Sequence, residues 1–203
     1  MPKLPLSYYQ HHDVLFLSKD LLGKFLFTKI GAKLTGGMII ETEAYRAPED
    51  RASHAYGNKR TKRNAPMYMH GGVCYVYQCY GIHYLLNIIT NLEEIPHGIL
   101  IRAIFPIVGI DEMLKRRGKN KIDKSFITGP GTVTEALGIT LEQNCLLLNS
   151  AQIWIEDKKI KIPDEAIIVG PRIGVEYAKE DALLPWRFRV SPTWLKAWAN
   201  AVC

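Results

Sequence analysis

The stretch Met38-Ile-Ile-Glu-Thr-Glu-Ala-Tyr45 limits what this chain can fold into more than any other. Met38, Ile39 and Ile40 are apolar and the two isoleucines are β-branched, so the segment reads as a strand leaving the core. Two carboxylates and a phenol then arrive at every second position, as Glu41, Glu43 and Tyr45. Strand side chains alternate between faces, which puts all three on one side. A carboxylate is costly to bury without a partner, so that face is solvated, paired or used. Taken by itself, the pattern fits a strand end reaching water better than it fits a site.

A length of 203 residues predicts one domain over residues 1–203, long enough for a substantial core. Hydrophobic residues at 47% and charged ones at 23% are ordinary for a soluble globular protein. The net charge of +6 suits a polyanionic partner without requiring one. No apolar run approaches the roughly 18 residues of a membrane span, and the amino terminus lacks the pattern of a signal peptide. A cytoplasmic protein is expected. Cys74, Cys79, Cys145 and Cys203 lack the close pairing of a zinc ribbon, so free thiols and no metal or other cofactor are expected.

Along the chain, Asp13–Leu22 reads as a short amphipathic helix stopped by Gly23, and Lys24–Ile30 as a strand. Residues Gly31 to Gly37 form a turn into the Met38 strand in this reading, giving a hairpin that positions Glu43. From Arg46 to Met69 periodicity is lost, with at most one short helix and a basic run of Lys59, Arg60, Lys62 and Arg63. Such a connection is either functional or a solvated loop. Tyr75 and Tyr77 alternate with Val76 and Gln78, and Tyr80-Gly81 marks a tight turn into a strand from His83 to Thr90. Asn87 lies among apolar residues there, so its amide is expected to be buried and in need of partners. Ile99–Phe105 is a further strand carrying Arg102. Gly109–Arg117 reads as a helix and Gly118–Lys124 as a basic loop. Thr132-Val-Thr-Glu135 has the form of a capping box for a helix through Leu137. Trp154–Ile162 suggests a hairpin, Ile167–Val169 a strand and Thr193–Ala201 a terminal helix. The predicted class is α+β: a single domain with a curved, mainly antiparallel sheet and flanking helices.

Glu43, Tyr45, His54, Tyr77, Tyr80, Asn87 and Arg102 are polar groups that pattern alone leaves unexplained. Aromatics interleaved with cations are what a nucleic-acid site needs, with cations for phosphates and flat rings for bases. A carboxylate among them can activate water. At these residues the sequence resembles the alkyladenine (3-methyladenine) DNA glycosylases, of the alkylpurine-excising type. The likeness runs through Leu21-Leu-Gly-Lys24, Glu41-Thr-Glu-Ala-Tyr45, Pro48-Glu-Asp50, His54, Thr61, Arg63-Asn64 and Met67. It continues through Tyr75-Val-Tyr77, Tyr80-Gly81, Asn87, Leu100-Ile-Arg-Ala103, Gly129-Pro-Gly131, Ala136-Leu-Gly-Ile139, Arg172-Ile-Gly-Val175 and Pro185-Trp-Arg-Phe188.

The resemblance implies a base-excision enzyme that flips 3-methyladenine or 7-methylguanine from duplex DNA, with hypoxanthine left open. It would hydrolyse the glycosidic bond and leave an abasic site. Glu43 matches the general base. Tyr45, His54 and Tyr77 match the groups that hold the base, Tyr80 the wedge, and Asn87 the amide that crowds out guanine. Arg102 resembles a contact to the DNA backbone, and Lys62 and Arg63 of the basic run are expected beside phosphates. Thr132 stands where members often carry Lys. The implied partner is double-stranded DNA with damaged purines, met by a monomer without cofactor or membrane, working at the bacterial nucleoid. Two rivals stay open: a non-catalytic nucleic-acid-binding protein, and a metal-dependent nuclease on Glu41 and Glu43, which needs more ligands than these two.

Overall fold

In the computed structural model, which describes residues 2–123 and 126–202, eight strands form one antiparallel sheet. They are β1 (Phe25–Ile30), β2 (Lys33–Arg46), β3 (Cys74–Cys79), β4 (His83–Thr90), β5 (His97–Val108), β6 (Ile153–Glu156), β7 (Ile167–Gly170) and β8 (Arg187–Val190). The main path is β3-β4-β5-β2-β1-β6, and β8 joins β2 and carries β7. Helices α1 (Leu6–Tyr9), α2 (Val14–Asp20), α3 (Ile110–Arg116), α4 (Pro130–Leu137) and α5 (Pro192–Val202) flank the sheet. The α+β class expected from sequence is what the structure has.

β2 is the spine. Its first half pairs with β1, and where β1 ends, β8 takes over opposite Glu41, Thr42 and Glu43. β5 lines the other edge from Gly36 to Arg46. Gly36 and Gly37, expected in a turn, lie inside β2, and only Gly31 and Ala32 connect it to β1. Crowding explains both glycines: a Cβ on Gly36 would sit 2.3 Å from the Phe27 ring, and one on Gly37 2.3 Å from the Phe105 carbonyl oxygen. Opposite β5 the register passes from Ile39↔Ile104 to Glu41↔Ala103 to Thr42↔Ile101, which leaves Ile40 and Arg102 as bulged residues. Bulges bend a strand and re-aim its side chains. The second one turns Arg102 toward the carboxylates.

Behind the strand, Asp13 caps α2 by accepting from the Leu15 and Phe16 N–H groups. Leu17 and Leu21 pack into the core with Ile39, Ala44, Ile99 and Ile101. Ser18 Oγ donates to Thr42 Oγ1 at 3.0 Å, and Thr42 Oγ1 donates to the Ser18 carbonyl at 2.7 Å, all buried. Thr42 thus pins the face of β2 opposite Glu43.

Other elements depart from expectation. α4 begins at Pro130 with Gly129 as its cap, and Thr132 lies inside the first turn, donating to the Gly129 carbonyl at 2.8 Å. The Thr-x-x-Glu pattern is therefore no capping box; a capping box occurs at Thr140 and Gln143 instead. Trp154–Ile162 is no hairpin, because β6 pairs with β1 and the chain after Glu156 runs irregularly through an Asp157–Lys159 turn. The Arg46–Met69 stretch holds two single-turn 3-10 helices rather than one, Tyr56–Asn58 and Ala65–Tyr68. Of the expected basic loop, Lys124 lies outside the described residues, as does Cys203. Among the described residues Cys74, Cys79 and Cys145 are free thiols, and no helix is long and apolar enough to cross a membrane.

Replacing Thr42 with Val removes both bonds to Ser18 while keeping shape. Leaving buried polar atoms unpaired costs about 1–3 kcal/mol. Urea unfolding should show a loss of that size, and an unchanged midpoint would mean the Ser18–Thr42 link does not hold α2 to the sheet.

Candidate active site

The period-two pattern of β2 delivers Glu41, Glu43 and Tyr45 to one face, where one guanidinium reaches both carboxylates. Arg102 Nε donates to Glu41 Oε1 at 3.0 Å, and Arg102 Nη1 lies 3.3 Å from Glu43 Oε1. Arg187 of β8 adds a second cation to Glu41 at 3.1 Å. Glu43 itself is 0% exposed. Its Oε1 accepts the Ile173 backbone N–H at 2.8 Å and its Oε2 the Tyr45 hydroxyl at 2.9 Å. Burial raises the Glu43 pKa; Arg102, the Ile173 N–H and the Tyr45 hydroxyl pull it back, and Glu41 adds to the rise. A carboxylate so placed is a stronger base than an exposed one while still being stabilised as an anion.

In front of Glu43 lies a cleft of about 370 Å³, walled by Tyr45, Arg102 and Ile173 on this side. Ligand clefts run from roughly 300 to 1,000 Å³, so this one suits a small flat group. His54 and Tyr77 form a facing aromatic wall, their rings edge-on with centroids 4.7 Å apart. His54 Nδ1 is 2.9 Å from the Tyr75 hydroxyl. Burial, assisted by the charge of Arg63, lowers the His54 pKa to about 4, so the ring is neutral at physiological pH. Asn87 lines the same cleft from β4 and is buried, its amide donating to the Tyr75 carbonyl at 3.4 Å.

The irregular stretch that carries His54 is ordered by a buried amide. Asn64 Nδ2 donates to the His54 and Lys59 carbonyls, both at 2.8 Å, and its Oδ1 accepts the Thr61 N–H at 2.7 Å. Tyr80 stands apart from the cleft interior. It is 91% exposed at the tip of the β3–β4 hairpin, at its mouth, with φ +52 beside Gly81 at +73. An aromatic residue held in the left-handed region and pushed into solvent invites a functional explanation. Arg63 stacks on Tyr77 at 5.0 Å and donates to the Gln78 carbonyl, and Lys62 is exposed beside it. Arg102, expected at a DNA backbone, is instead nearly buried, with its guanidinium committed to Glu41 and Glu43.

Sequence reasoning attached no role to three other residues here. Ile173 and Tyr177 line the cleft, and Arg172 forms a fully buried bidentate ion pair with Asp50 at 2.5 and 2.8 Å. The Arg172-Ile-Gly-Val175 run carried the only available signal. Backbone donors such as the Ile173 N–H have none. Among the described residues no group of three or more His, Cys, Asp and Glu is placed to hold a metal.

Residues 7–193 match the family described as methylpurine-DNA glycosylase. Relatives bearing the name "Putative 3-methyladenine DNA glycosylase" span nearly the same length. One from Chlamydia felis is 51% identical over 91% of this chain and 94% of its own. One from Chlamydia pneumoniae is 45% identical over 91% and 93%, and one from Clostridium perfringens 38% over 90% and 93%.

The lowered pKa of His54 sets a pH signature. The folded state binds the proton less tightly than the unfolded chain, so stability is full above about 6.5 and is lost as pH falls toward about 4. Thermal melts from pH 7 to pH 4 should show wild type losing more stability than His54→Gln. Parallel losses would mean that His54 is not held neutral by its burial.

Proposed function

The chain belongs to the methylpurine-DNA glycosylase family, and from that premise we propose that it excises alkylated purines by flipping them into the cleft before Glu43. It is a monofunctional DNA N-glycosylase. Its relatives are named for 3-methyladenine; 7-methylguanine and hypoxanthine are the further substrates proposed for this chain. The observation that carries the reading is a buried carboxylate one layer behind an aromatic cleft, its oxygens held by Tyr45 and Ile173, which themselves form the cleft wall.

An extruded purine would stack against Tyr45, Tyr77 and His54, the stacking returning about 1–3 kcal/mol for the base against a flipping cost of a few kcal/mol. Tyr80 would fill the vacated place in the duplex. Lys62, Arg63 and the overall charge of +6 favour phosphates. Water admitted between Tyr45, Arg102 and Ile173 would attack C1′ as Glu43 takes its proton. The electron pair of the glycosidic bond leaves with the base, and for a cationic methylpurine that departure neutralises the leaving group. Arg102 would act by holding Glu41 and Glu43 together and steadying the anion. Asn87 would face the minor-groove edge, where guanine bears an amino group that adenine and hypoxanthine lack.

Glu43→Gln should bind a lesion duplex yet release base at least ~100-fold more slowly, the loss expected of a missing general base. Near-normal single-turnover rates would remove Glu43 from that role, and no base release by the wild type would favour a non-catalytic binder. For selectivity, Asn87→Ser should raise excision of guanine relative to hypoxanthine by roughly ten- to a hundred-fold, as a penalty of about 1–3 kcal/mol is relieved. The check is the ratio of single-turnover rates on matched duplexes; both rates falling together would leave Asn87 a purely structural amide.

A further inference from the structure

Glu43 owes its Ile173 hydrogen bond to a loop that has no regular structure of its own. Residues 171–175 join β7 to the 3-10 segment Glu176–Leu183, and no strand or helix hydrogen bonds fix the Ile173 N–H. Side chains do so instead. Arg187 Nε donates to the Pro171 carbonyl at 2.8 Å. Val175 is buried beside Ala52 and Ala178. Between these two, Arg172 is inserted with its side chain 0% exposed.

The four donor contacts of that guanidinium are all local to the site. Nη1 donates to Asp50 Oδ2 at 2.5 Å and to the Ala44 carbonyl at 3.0 Å; Nη2 donates to Asp50 Oδ1 at 2.8 Å and to the Asp181 carbonyl at 3.0 Å. Its Cζ lies 4.7 Å from the centre of the Tyr45 ring and 5.0 Å from that of the Trp186 ring. Asp50 in turn accepts the Ala52 N–H at 2.9 Å and the Arg46 N–H at 3.3 Å, which ties it to the turn that leads from β2 to His54. One ion pair therefore joins the strand carrying Glu43, the turn toward His54 and the loop carrying Ile173.

We infer that the Asp50–Arg172 pair is a positioning device for Glu43. It pins the Ile173 N–H on one carboxylate oxygen and backs the Tyr45 ring whose hydroxyl holds the other. A buried ion pair is weak grounds for stability, since apolar residues of the same volume do as well or better. Its placement here fixes the geometry of the base. The inference rests on Glu43 being the base and concerns residues that do not touch substrate.

Single-turnover base release from a duplex containing 7-methylguanine, followed across pH, tests it with Asp50→Asn and Arg172→Lys beside wild type and Glu43→Gln. The charges facing Glu43 are Glu41 on its own strand, Arg102 on β5, Arg187 on β8 and Arg172 on the loop, with the neutral Tyr45 phenol. Both variants leave the first three in place. Losing the Ile173 donor removes support from the ionised carboxylate, so its protonation moves to higher pH. The acid limb of the rate profile should rise by on the order of one pH unit, and the plateau should fall about tenfold, with affinity for the lesion duplex retained. A lower melting temperature with limb and plateau in place would reduce the pair to a clamp for the fold, and so would failure of both variants to fold. Should wild type release no base, or Glu43→Gln release it normally, the assignment of Glu43 falls first and this inference with it.

Discussion

Everything in this structure that bears on chemistry follows from withdrawing one carboxylate from water. A buried anion must be met by donors, and Glu43 collects a backbone N–H, a phenol and a guanidinium from three separate parts of the chain. Two carboxylates and two guanidinium groups, Glu41, Glu43, Arg102 and Arg187, balance one another at the join of β2, β5 and β8. Desolvation pushes this carboxylate toward protonation while the donors oppose it. That opposition is what makes a carboxyl group useful as a base near neutral pH.

Scaffold and cleft are built differently. The sheet supplies rigidity: β2 is bordered by β5 along one edge and by β1 then β8 along the other, and Thr42 secures its rear to α2. The cleft walls come largely from connections. These are ordered by two polar side chains buried within them, Asn64 under the His54 turn and Asp50 under the Arg172 loop. Irregular backbone cannot satisfy its own polar groups, so a side chain has to do it. Cleft residues on loops over a rigid sheet follow from the same division.

Tyr80 shows the opposite treatment of an aromatic ring. Tyr75 and Tyr77 on the same hairpin are drawn into the cleft wall, whereas Tyr80 is presented to solvent at the turn. No packing in the folded chain rewards that exposure. Under the proposed function, a gap between stacked bases would.

Local pattern was enough for much of this. The spacing of Glu41, Glu43 and Tyr45 determined their common face, because a strand alternates whatever lies beside it. Tyr80-Gly81 between two apolar runs determined the hairpin, and Asn87 among apolar neighbours determined a buried amide. Where the chain's choice depended on contact with distant segments, the sequence was silent or misleading. Gly36 and Gly37 looked like a turn, and only the approach of Phe27 and Phe105 kept them in a strand. Thr132 and Glu135 looked like a cap, yet Gly129 opens the helix one turn earlier. β8 was not foreseen at all, and with it went Arg187 and the edge beside Glu43. The tertiary structure alone decided that Glu43 is buried, that Arg102 serves two carboxylates, and that the Ile173 N–H reaches across 130 residues of chain to hold the Glu43 carboxylate. The reason is physical: alternation and turn chemistry are properties of neighbouring residues, while burial and backbone hydrogen bonds to a side chain exist only once remote segments have been brought together.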